Sequence, residues 1–499
     1  PVDDPPAPEV ADNGAGDNGN GAGAGGDQAR PPSAEPWRAT VPTPGPAPTM
    51  PLPSVQRFTL GNGLAVWLVE SHRLPLVSAS LVSRLGSAGD PPDRPGLTDL
   101  ATGTLDGGTT HRDALGLSRE LEAAGATLSN DTGKDGTWLS ASALTAHAPA
   151  ALDILADAVL HPTFPDDEVA RVRDADIVAL RQSADNAGTV ASAVAAREVF
   201  GAGHPYGHRV TGTEDGLRAA TIDDLRLAHD RAFTPTNTAL VLAGDLTAAQ
   251  ARTLAEGAFG SWTGGSPAGG PPAAGVSAAG PSAAGASPPP QPGTPERVLI
   301  VDKPGSSQTA LVLAAPGVAR ADPDYEPLLV TNQVFGGAFS SRLNQDLRER
   351  RGYTYGAYSS VDALRSAGLV TLAMDVETPS TADAVQAALH DADTLAASGV
   401  TADELGRARQ GLVGSMPSLF ATGSETLSTL RSLYLYDRPP DDYRTRPARL
   451  AGITAADVAA VARRRFGPGA FTIVAVGDRS AIEEPLRALN LGPVGPRSP

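Results

Sequence analysis

Hydrophobic and polar positions change their spacing several times along this chain, and each spacing predicts an element. From Phe58 to Leu68, apolar residues alternate around Gly61-Asn62-Gly63, which predicts a β-hairpin. An apolar run from Val77 to Leu85 predicts a further strand. Helical spacing follows over 114–124, 150–160 and 167–182. Strands mixed with helices in this way predict an α+β fold, with a mainly antiparallel sheet and helices on one face.

The two halves of the chain repeat one pattern in the same order. A helix start, a Phe-x-Pro turn, a buried strand and a Gly-Asp pair occur twice, at a constant offset of 233 residues. The matched positions are Thr221, Phe233 and Gly244-Asp245 in the first half, and Thr454, Phe466 and Gly477-Asp478 in the second. We therefore predict an internal duplication that produces two similar domains.

Segments of low complexity set the expected domain boundaries. Residues 1–53 are rich in Pro, Gly and Ala with few large apolar side chains, so we predict a disordered spacer. Residues 264–295 carry no charged side chain and predict a flexible linker. The predicted domains are then 54–263 and 296–491, followed by a tail over 492–499. A long spacer at the start of the chain favours an exported protein of the periplasm or cell envelope.

Charge and composition exclude several classes of function. The formal net charge is −17, which argues against a nucleic-acid partner. No apolar run reaches the roughly 18–20 residues of a membrane-spanning helix. The chain contains no cysteine, which excludes disulfides, thiolate metal sites and cysteine nucleophiles.

Several short motifs together resemble one family. They are Leu60–Leu64, Gly96–Thr98, His204–Gly207, Gly336–Leu343 and Leu347–Tyr355. With them the chain resembles the insulinase-like family of zinc peptidases, which includes pitrilysin and mitochondrial processing peptidase, in its short two-domain bacterial type. The resemblance covers about residues 54–491. It implies two similar α+β domains that form one half of a clam-shell around a peptide chamber.

The zinc motif of that family is missing at the matching positions. The family reads His-x-x-Glu-His where this chain has Asp99, Thr102 and Gly103, and its third ligand, a glutamate, falls near Ala179. The nearest acid to that position is Asp176. Catalytic zinc needs three protein ligands, and one carboxylate does not hold it. We therefore predict no metal, no cofactor and no catalytic residue in this chain alone.

The histidines of the chain do not replace the motif in sequence. His204 and His208 are four residues apart, but Pro205 and Gly207 between them disfavour a helix, so a surface turn is predicted. The other histidines are scattered and are each predicted to be surface or packing residues; they are His72, His111, His147, His161, His229 and His390.

The second half keeps more of the family's pattern. Arg348 and Tyr355 match an arginine and a tyrosine that face the zinc across the chamber in the family, where such groups hold a peptide carbonyl. Tyr353 is the rival tyrosine, and a surface arginine with a core tyrosine is the structural alternative. Gly336-Gly337 either lets a peptide backbone approach closely or serves a structural turn.

The leading functional hypothesis follows from the two-chain members of the family, which divide the zinc motif and the arginine–tyrosine pair between subunits. This chain would be the non-zinc subunit of a heterodimer, binding unfolded or extended peptides and completing the chamber of a zinc-bearing paralogue. A non-catalytic binding or assembly protein is the alternative. An independent hydrolase has less support, because Ser340-Ser341 has no nearby base and no Gly-x-Ser-x-Gly elbow is present.

Overall fold

The computed structural model describes residues 52–201, 203–263 and 297–497, which belong to one compact unit. The predicted spacer 1–53, apart from its last two residues, and the predicted linker 264–295 lie outside the described residues. Both remain predictions from composition.

Two six-stranded sheets organise the described part of the chain. Their orders are β1-β2-β6-β3-β5-β4 and β12-β7-β11-β8-β10-β9. The strands are β1 (Gln56–Thr59), β2 (Ala65–Glu70), β3 (Leu76–Ser83), β4 (Thr127–Thr132), β5 (Thr137–Leu144), β6 (Thr238–Gly244), β7 (Arg297–Asp302), β8 (Gln308–Pro316), β9 (Ala357–Ala363), β10 (Gly368–Glu377), β11 (Thr472–Gly477) and β12 (Val494–Pro496).

Helices occupy most of the chain between these strands. They are α1 (Leu97–Gly103), α2 (Ala114–Ala124), α3 (Ala148–Leu160), α4 (Asp166–Asp185), α5 (Ala187–Phe200), α6 (Glu214–Ala219), α7 (Ile222–Ala232), α8 (Ala248–Phe259), α9 (Tyr325–Asn332), α10 (Thr381–Ser398), α11 (Ala402–Gly414), α12 (Gly423–Leu435), α13 (Asp442–Gly452), α14 (Ala455–Arg465) and α15 (Arg479–Ala488). Among the helices of the described ranges, none is long and apolar enough to cross a membrane.

The predicted duplication is confirmed by the topology. Thr221 and Thr454 each cap a helix through a reciprocal capping box, α7 in the first half and α14 in the second. Each helix leads into the strand that lies third from one edge of its sheet, β6 and β11 respectively. The α+β class with two similar halves is therefore correct.

The end of the chain differs from the prediction of a tail over 492–499. Residues Val494–Pro496 form β12, which pairs in parallel with β7. Val298 N donates to Pro493 O at 3.1 Å, and Arg497 N donates to Ile300 O at 2.9 Å. The exposed edge of β7 offers backbone groups that form hydrogen bonds with those of this segment. No local hydrophobic pattern predicts this pairing.

Each sheet has a second covered face that the sequence did not predict. One face of each sheet packs on helices of its own half. The opposite face of the first sheet is covered by α12 from the second half, and that of the second sheet by α5 from the first half. The α12 cluster contains Trp67, Val82, Val241, Leu430, Leu433 and Tyr434, and the α5 cluster contains Val190, Ala191, Val194, Val312, Leu369 and Val474. The halves therefore exchange helices and share two cores.

Candidate functional site

Helix α1 carries the positions that match the zinc motif, and a turn at a glycine sets where it begins. Gly96 precedes α1 with φ 96°, and a Cβ placed there would lie 2.3 Å from Thr211 O. The carboxylate of Asp90 accepts from Gly96 N at 2.8 Å and from Thr98 N at 2.9 Å. These bonds satisfy donors of the first helical turn. The helix packs against α4, α7 and β4.

The motif positions on α1 and α4 offer little to a metal. The hydroxyl of buried Thr102 donates to Thr98 O at 2.8 Å, within its own helix. A Cβ at Gly103 would meet Val172 Cγ1 of α4 at 3.2 Å. Ala179 is exposed and carries only a methyl group. Among these four positions, only Asp99 carries a side chain of a type that commonly ligates a metal.

Two carboxylates lie near the expected metal positions. Asp176, one helical turn before Ala179, is close enough to Asp99 for the two charges to interact. Burial and the charge of Asp99 raise the pKa of Asp176 to about 6. Burial also raises the pKa of Asp99, as do the charges of Asp131 and Asp90, against the opposing effect of the hydroxyl of Thr211. The site is therefore a group of neighbouring carboxylates with an unfavourable excess of negative charge.

These residues do not fit the zinc of the resembling family. Imidazole nitrogens are missing, and the glutamate that would act as base is replaced by a threonine whose hydroxyl is already bonded. We derive no chemical step through a metal at this site.

The second half presents four arginines close together in sequence, and three of them contact carboxylates at 3.3 Å or less. Arg342 forms a two-point pair with Glu404 at 2.7 and 2.9 Å. Arg350 and Arg351 both contact the buried Asp346, at 3.3 and 2.7 Å. The paired contacts of Arg342 and Arg351 hold these two side chains within the protein. Arg348 differs from the other three, because its carboxylate contact is longer, at 3.6 Å, and is made to its sequence neighbour Glu349.

Arg348 has a different environment from its neighbours. Its guanidinium lies 4.6 Å from the ring centre of Phe339, and its Nε lies 3.6 Å from the exposed carboxylate of Glu349. The aromatic ring, itself 63% exposed, supports the guanidinium while leaving hydrogen-bond donors available to solvent or ligand.

The two candidate tyrosines separate clearly by burial. Tyr353 packs against the core of the second half, and its backbone N donates to Leu347 O at 2.9 Å. Tyr355 is 94% exposed. Tyr355 is therefore the tyrosine whose side chain is accessible to a ligand, and the roles of Arg348 and Tyr355 stay predictions.

The glycine pair divides into two different environments. Gly336 is buried, and a Cβ there would lie 2.6 Å from Ser359 Oγ and 2.7 Å from Leu343 Cδ1. The atoms that approach Gly336 closely thus belong to this chain and not to a bound peptide. This is what a glycine in a structural turn would show. Gly337 is exposed, and contact with a peptide remains a prediction for that position.

The histidine pair of the first half lies in a turn. His204 stacks on Phe200 with ring centres 5.1 Å apart, and its Nδ1 accepts from Tyr206 N at 3.0 Å. Burial lowers the pKa of His208, whose Nδ1 lies 2.9 Å from Arg209 O. This local packing agrees with the turn predicted from Pro205 and Gly207.

Sequence reasoning missed a second group of histidines. His111 and His161, expected to be isolated surface or packing residues, both contact the buried carboxylate of Asp157. Only the spacing of Asp157 and His161, four residues apart at the end of the helix predicted over 150–160, gave a signal. His229 does pack as expected, against Phe164 and Phe233.

Models of one protein family match both halves of the chain. The model described as Insulinase (Peptidase family M16) matches residues 65–196, and the model described as Peptidase M16 inactive domain matches residues 219–412. The chain belongs to the insulinase-like peptidase family.

Curated relatives in the insulinase-like family carry different names. An uncharacterized zinc protease of Streptomyces coelicolor is 28% identical over 434 residues, covering 83% of this chain and 88% of the relative. A protein of Helicobacter pylori named as a non-peptidase homolog is 23% identical over 371 residues, covering 74% and 82% of the two chains. Relatives at this level of identity include proteins named as proteases and one named as a non-peptidase homolog. Whether this chain can hold zinc must therefore be judged from the residues at its own site.

Solved structures of this family have the same architecture. A peptidase M16 inactive domain from Pseudomonas fluorescens has a TM-score of 0.74 at 26% identity, covering 85% of this chain and 98% of that chain. A protease from Helicobacter pylori has a TM-score of 0.75 at 17% identity, covering 85% and 100%. The latter similarity supports the fold alone.

Proposed function

We propose that this chain is a non-catalytic, insulinase-like subunit that binds extended peptides and completes the active chamber of a zinc-bearing paralogue. The observation that carries the proposal is the contrast between the two halves. The positions for zinc offer one carboxylate, whereas Arg348 and Tyr355 project accessible polar groups. Zinc and water activation would come from the partner.

An edge strand beside the degenerate site supports the peptide-binding part of the proposal. Strand β4 lies at the edge of the first sheet and packs beside α1. Its side chains alternate in exposure, with Thr127, Ser129 and Asp131 exposed. An extended peptide can add to such an edge through main-chain hydrogen bonds.

In the proposed complex, Arg348 would hold a peptide carbonyl and Tyr355 would donate a hydrogen bond to the developing oxyanion. A donor of this kind is typically worth about 100-fold to 1,000-fold in turnover. The stacking on Phe339 fixes the guanidinium position and so reduces the entropy lost on binding.

The test is reconstitution with a zinc-bearing paralogue from the same organism and an unstructured peptide substrate. The chain alone should show no chelator-sensitive cleavage, and adding it to the paralogue should raise turnover. Arg348→Ala and Tyr355→Phe should each remove most of that gain. Arg350→Ala is the matched control, because Arg350 is 70% exposed and pairs with Asp346.

Three results would contradict the proposal. They are stoichiometric zinc with cleavage by the chain alone, no gain on mixing, or an equal effect of Arg348→Ala and Arg350→Ala.

A peptide-binding or assembly role without any effect on catalysis is the second candidate. Exposed aromatic side chains on the second half favour it, since Phe339, Tyr355 and Tyr358 are 63%, 94% and 50% exposed. In that case the chain would bind a labelled peptide, measured by fluorescence anisotropy, without raising the paralogue's turnover. Location in the periplasm or envelope is part of the proposal and is tested by fractionating cells.

A further inference from the structure

We propose that His111, Asp157 and His161 form a binding site for a divalent transition metal such as Zn²⁺, separate from the degenerate zinc positions. Each residue supplies one ligand atom, and the three atoms lie within 4.8 Å of one another. Imidazole nitrogen with carboxylate oxygen is a ligand set that zinc accepts, with water completing the coordination.

The distances already approach those of a metal site. Asp157 Oδ1 lies 2.6 Å from His111 Nδ1 and 3.1 Å from His161 Nδ1. Zinc–ligand bonds of about 2.0–2.2 Å place tetrahedral ligands a little over 3 Å apart, so entry of the ion requires only a small separation. The imidazole rings meet edge to face with centres 4.9 Å apart.

Proton placement is compatible with binding at these atoms. Without metal, each Nδ1 can donate its proton to Asp157 Oδ1. On metal binding, that proton transfers through solvent to Nε2 of the same ring, so a neutral imidazole binds with no change in its charge. The exposure of the two side chains, 60% for His111 and 45% for His161, gives solvent access for the transfer.

The carboxylate of Asp157 is oriented by bonds to its other oxygen. Asp157 Oδ2 accepts from Thr109 Oγ1 at 2.6 Å and from Arg112 Nη1 at 2.7 Å. Oδ1 is therefore turned toward the two imidazoles. Outer contacts of this kind are what fix the geometry of metal ligands.

The backbone holds the three ligands together before any ion binds. Asp157 and His161 are one helical turn apart at the end of α3. The loop that carries His111 is tied to this helix end, because Thr110 N donates to His161 O at 2.9 Å. Thr109 and Pro162 also form a β-bridge. A site held in this way loses little entropy when the ion enters.

The surrounding charge favours a cation. Arg112 pairs with Asp157 at 2.7 Å, with Asp153 at 2.7 Å and with Glu120 at 2.9 Å. Three carboxylates thus face one guanidinium, which leaves a local excess of negative charge when the histidines are neutral. A divalent ion would neutralise that excess. The cluster borders an open cavity of about 660 Å³, through which an ion can enter.

The test uses the full chain, freed of any histidine tag and of metal, titrated with Zn²⁺ by calorimetry at pH 7.5. One equivalent should bind. His111→Gln and His161→Gln should each weaken binding by at least about 10-fold, since even outer contacts of metal ligands are worth 10-fold to 100-fold. His147→Gln is the matched control, because His147 is exposed at the other end of α3.

A second measurement does not depend on the variants. Co²⁺ bound to the unaltered chain should show visible absorption bands typical of a low-coordinate site with nitrogen ligands, and zinc should displace it. Binding that is equal in the His111, His161 and His147 variants would identify adventitious surface metal and overturn the proposal. So would the failure of the unaltered chain to bind zinc. This outcome is independent of the reconstitution assay, because no residue is shared between the two sites.

Discussion

Asp176→Asn should stabilise the protein near neutral pH, because it removes a partly buried negative charge that lies near the carboxylate of Asp99. In the folded protein, burial and the facing carboxylate of Asp99 raise the pKa of Asp176 from 3.8 to about 6. The folded state therefore binds a proton more tightly than the unfolded state. Between about pH 4 and 6 the unfolded chain releases that proton first, so stability falls as pH rises through this window.

The magnitude follows from the size of the shift. A change of about two pKa units corresponds to roughly 3 kcal/mol if the full shift counts toward stability. Asp176 is only half-buried, so solvent screening reduces the expected gain to about 1 kcal/mol at pH 7. The gain should vanish below about pH 4, where the aspartate is protonated in both states.

Denaturant unfolding at intervals from pH 4 to pH 8, followed by circular dichroism, measures this difference. Asp174→Asn is the matched control, an exposed carboxylate on the same helix. A gain that is the same at pH 4 and pH 7, or one that Asp174→Asn reproduces, would refute the reasoning. A loss of stability at pH 7 would show that the charge of Asp176 is satisfied by a favourable contact.

Three further predictions concern the fold and the histidine cluster. Cleavage at a protease site inserted within 264–295 should leave the two halves in one complex on size exclusion, because α5 and α12 each complete the other half's core; separation into folded halves would contradict this. Gly96→Ala should lower the free energy of unfolding by roughly 1–3 kcal/mol in denaturant melts, since the methyl group would overlap Thr211 O, whereas Gly125→Ala, with open space around it, should cost less. Asp157→Asn should cost about 1–3 kcal/mol at pH 7, because buried hydrogen bonds lose their charged acceptor. Hydrogen bonding to Thr109 and His111 lowers the pKa of Asp157 to about 2, so its charge stabilises the fold above about pH 4. The difference in free energy of unfolding between Asp157→Asn and the unaltered protein should therefore shrink toward pH 2 in the same melts.

Local elements of the fold were predictable because their causes are local. The hairpin around Gly61-Asn62-Gly63 and the bounds of α2 agree with the structure, since turn chemistry and helical spacing lie within a few residues. The capping threonines Thr221 and Thr454 also marked equivalent helices in the two halves. Repetition of such local signals was enough to predict the duplication.

Pairings over long sequence distances were not predictable. Helices α5 and α12 lie outside the helices predicted from sequence, and nothing in their spacing says that each covers the sheet of the other half. Strand β12 has only three residues, so its pairing depends on the open edge of β7. The loop that carries His111 reaches the end of α3 through backbone hydrogen bonds that leave no sequence pattern.

The amino-acid sequence alone determined the chemical types at the motif positions: aspartate, threonine, glycine and alanine stand where two histidines and two glutamates would be needed. It also determined that an arginine and a tyrosine are present at the family's spacing. Only the tertiary structure decided that Asp176 faces Asp99, that Tyr353 is packed while Tyr355 is exposed, and that two distant histidines share one carboxylate. The physical reason is that ligand type belongs to a residue, whereas distance, burial and charge depend on the path of the whole chain.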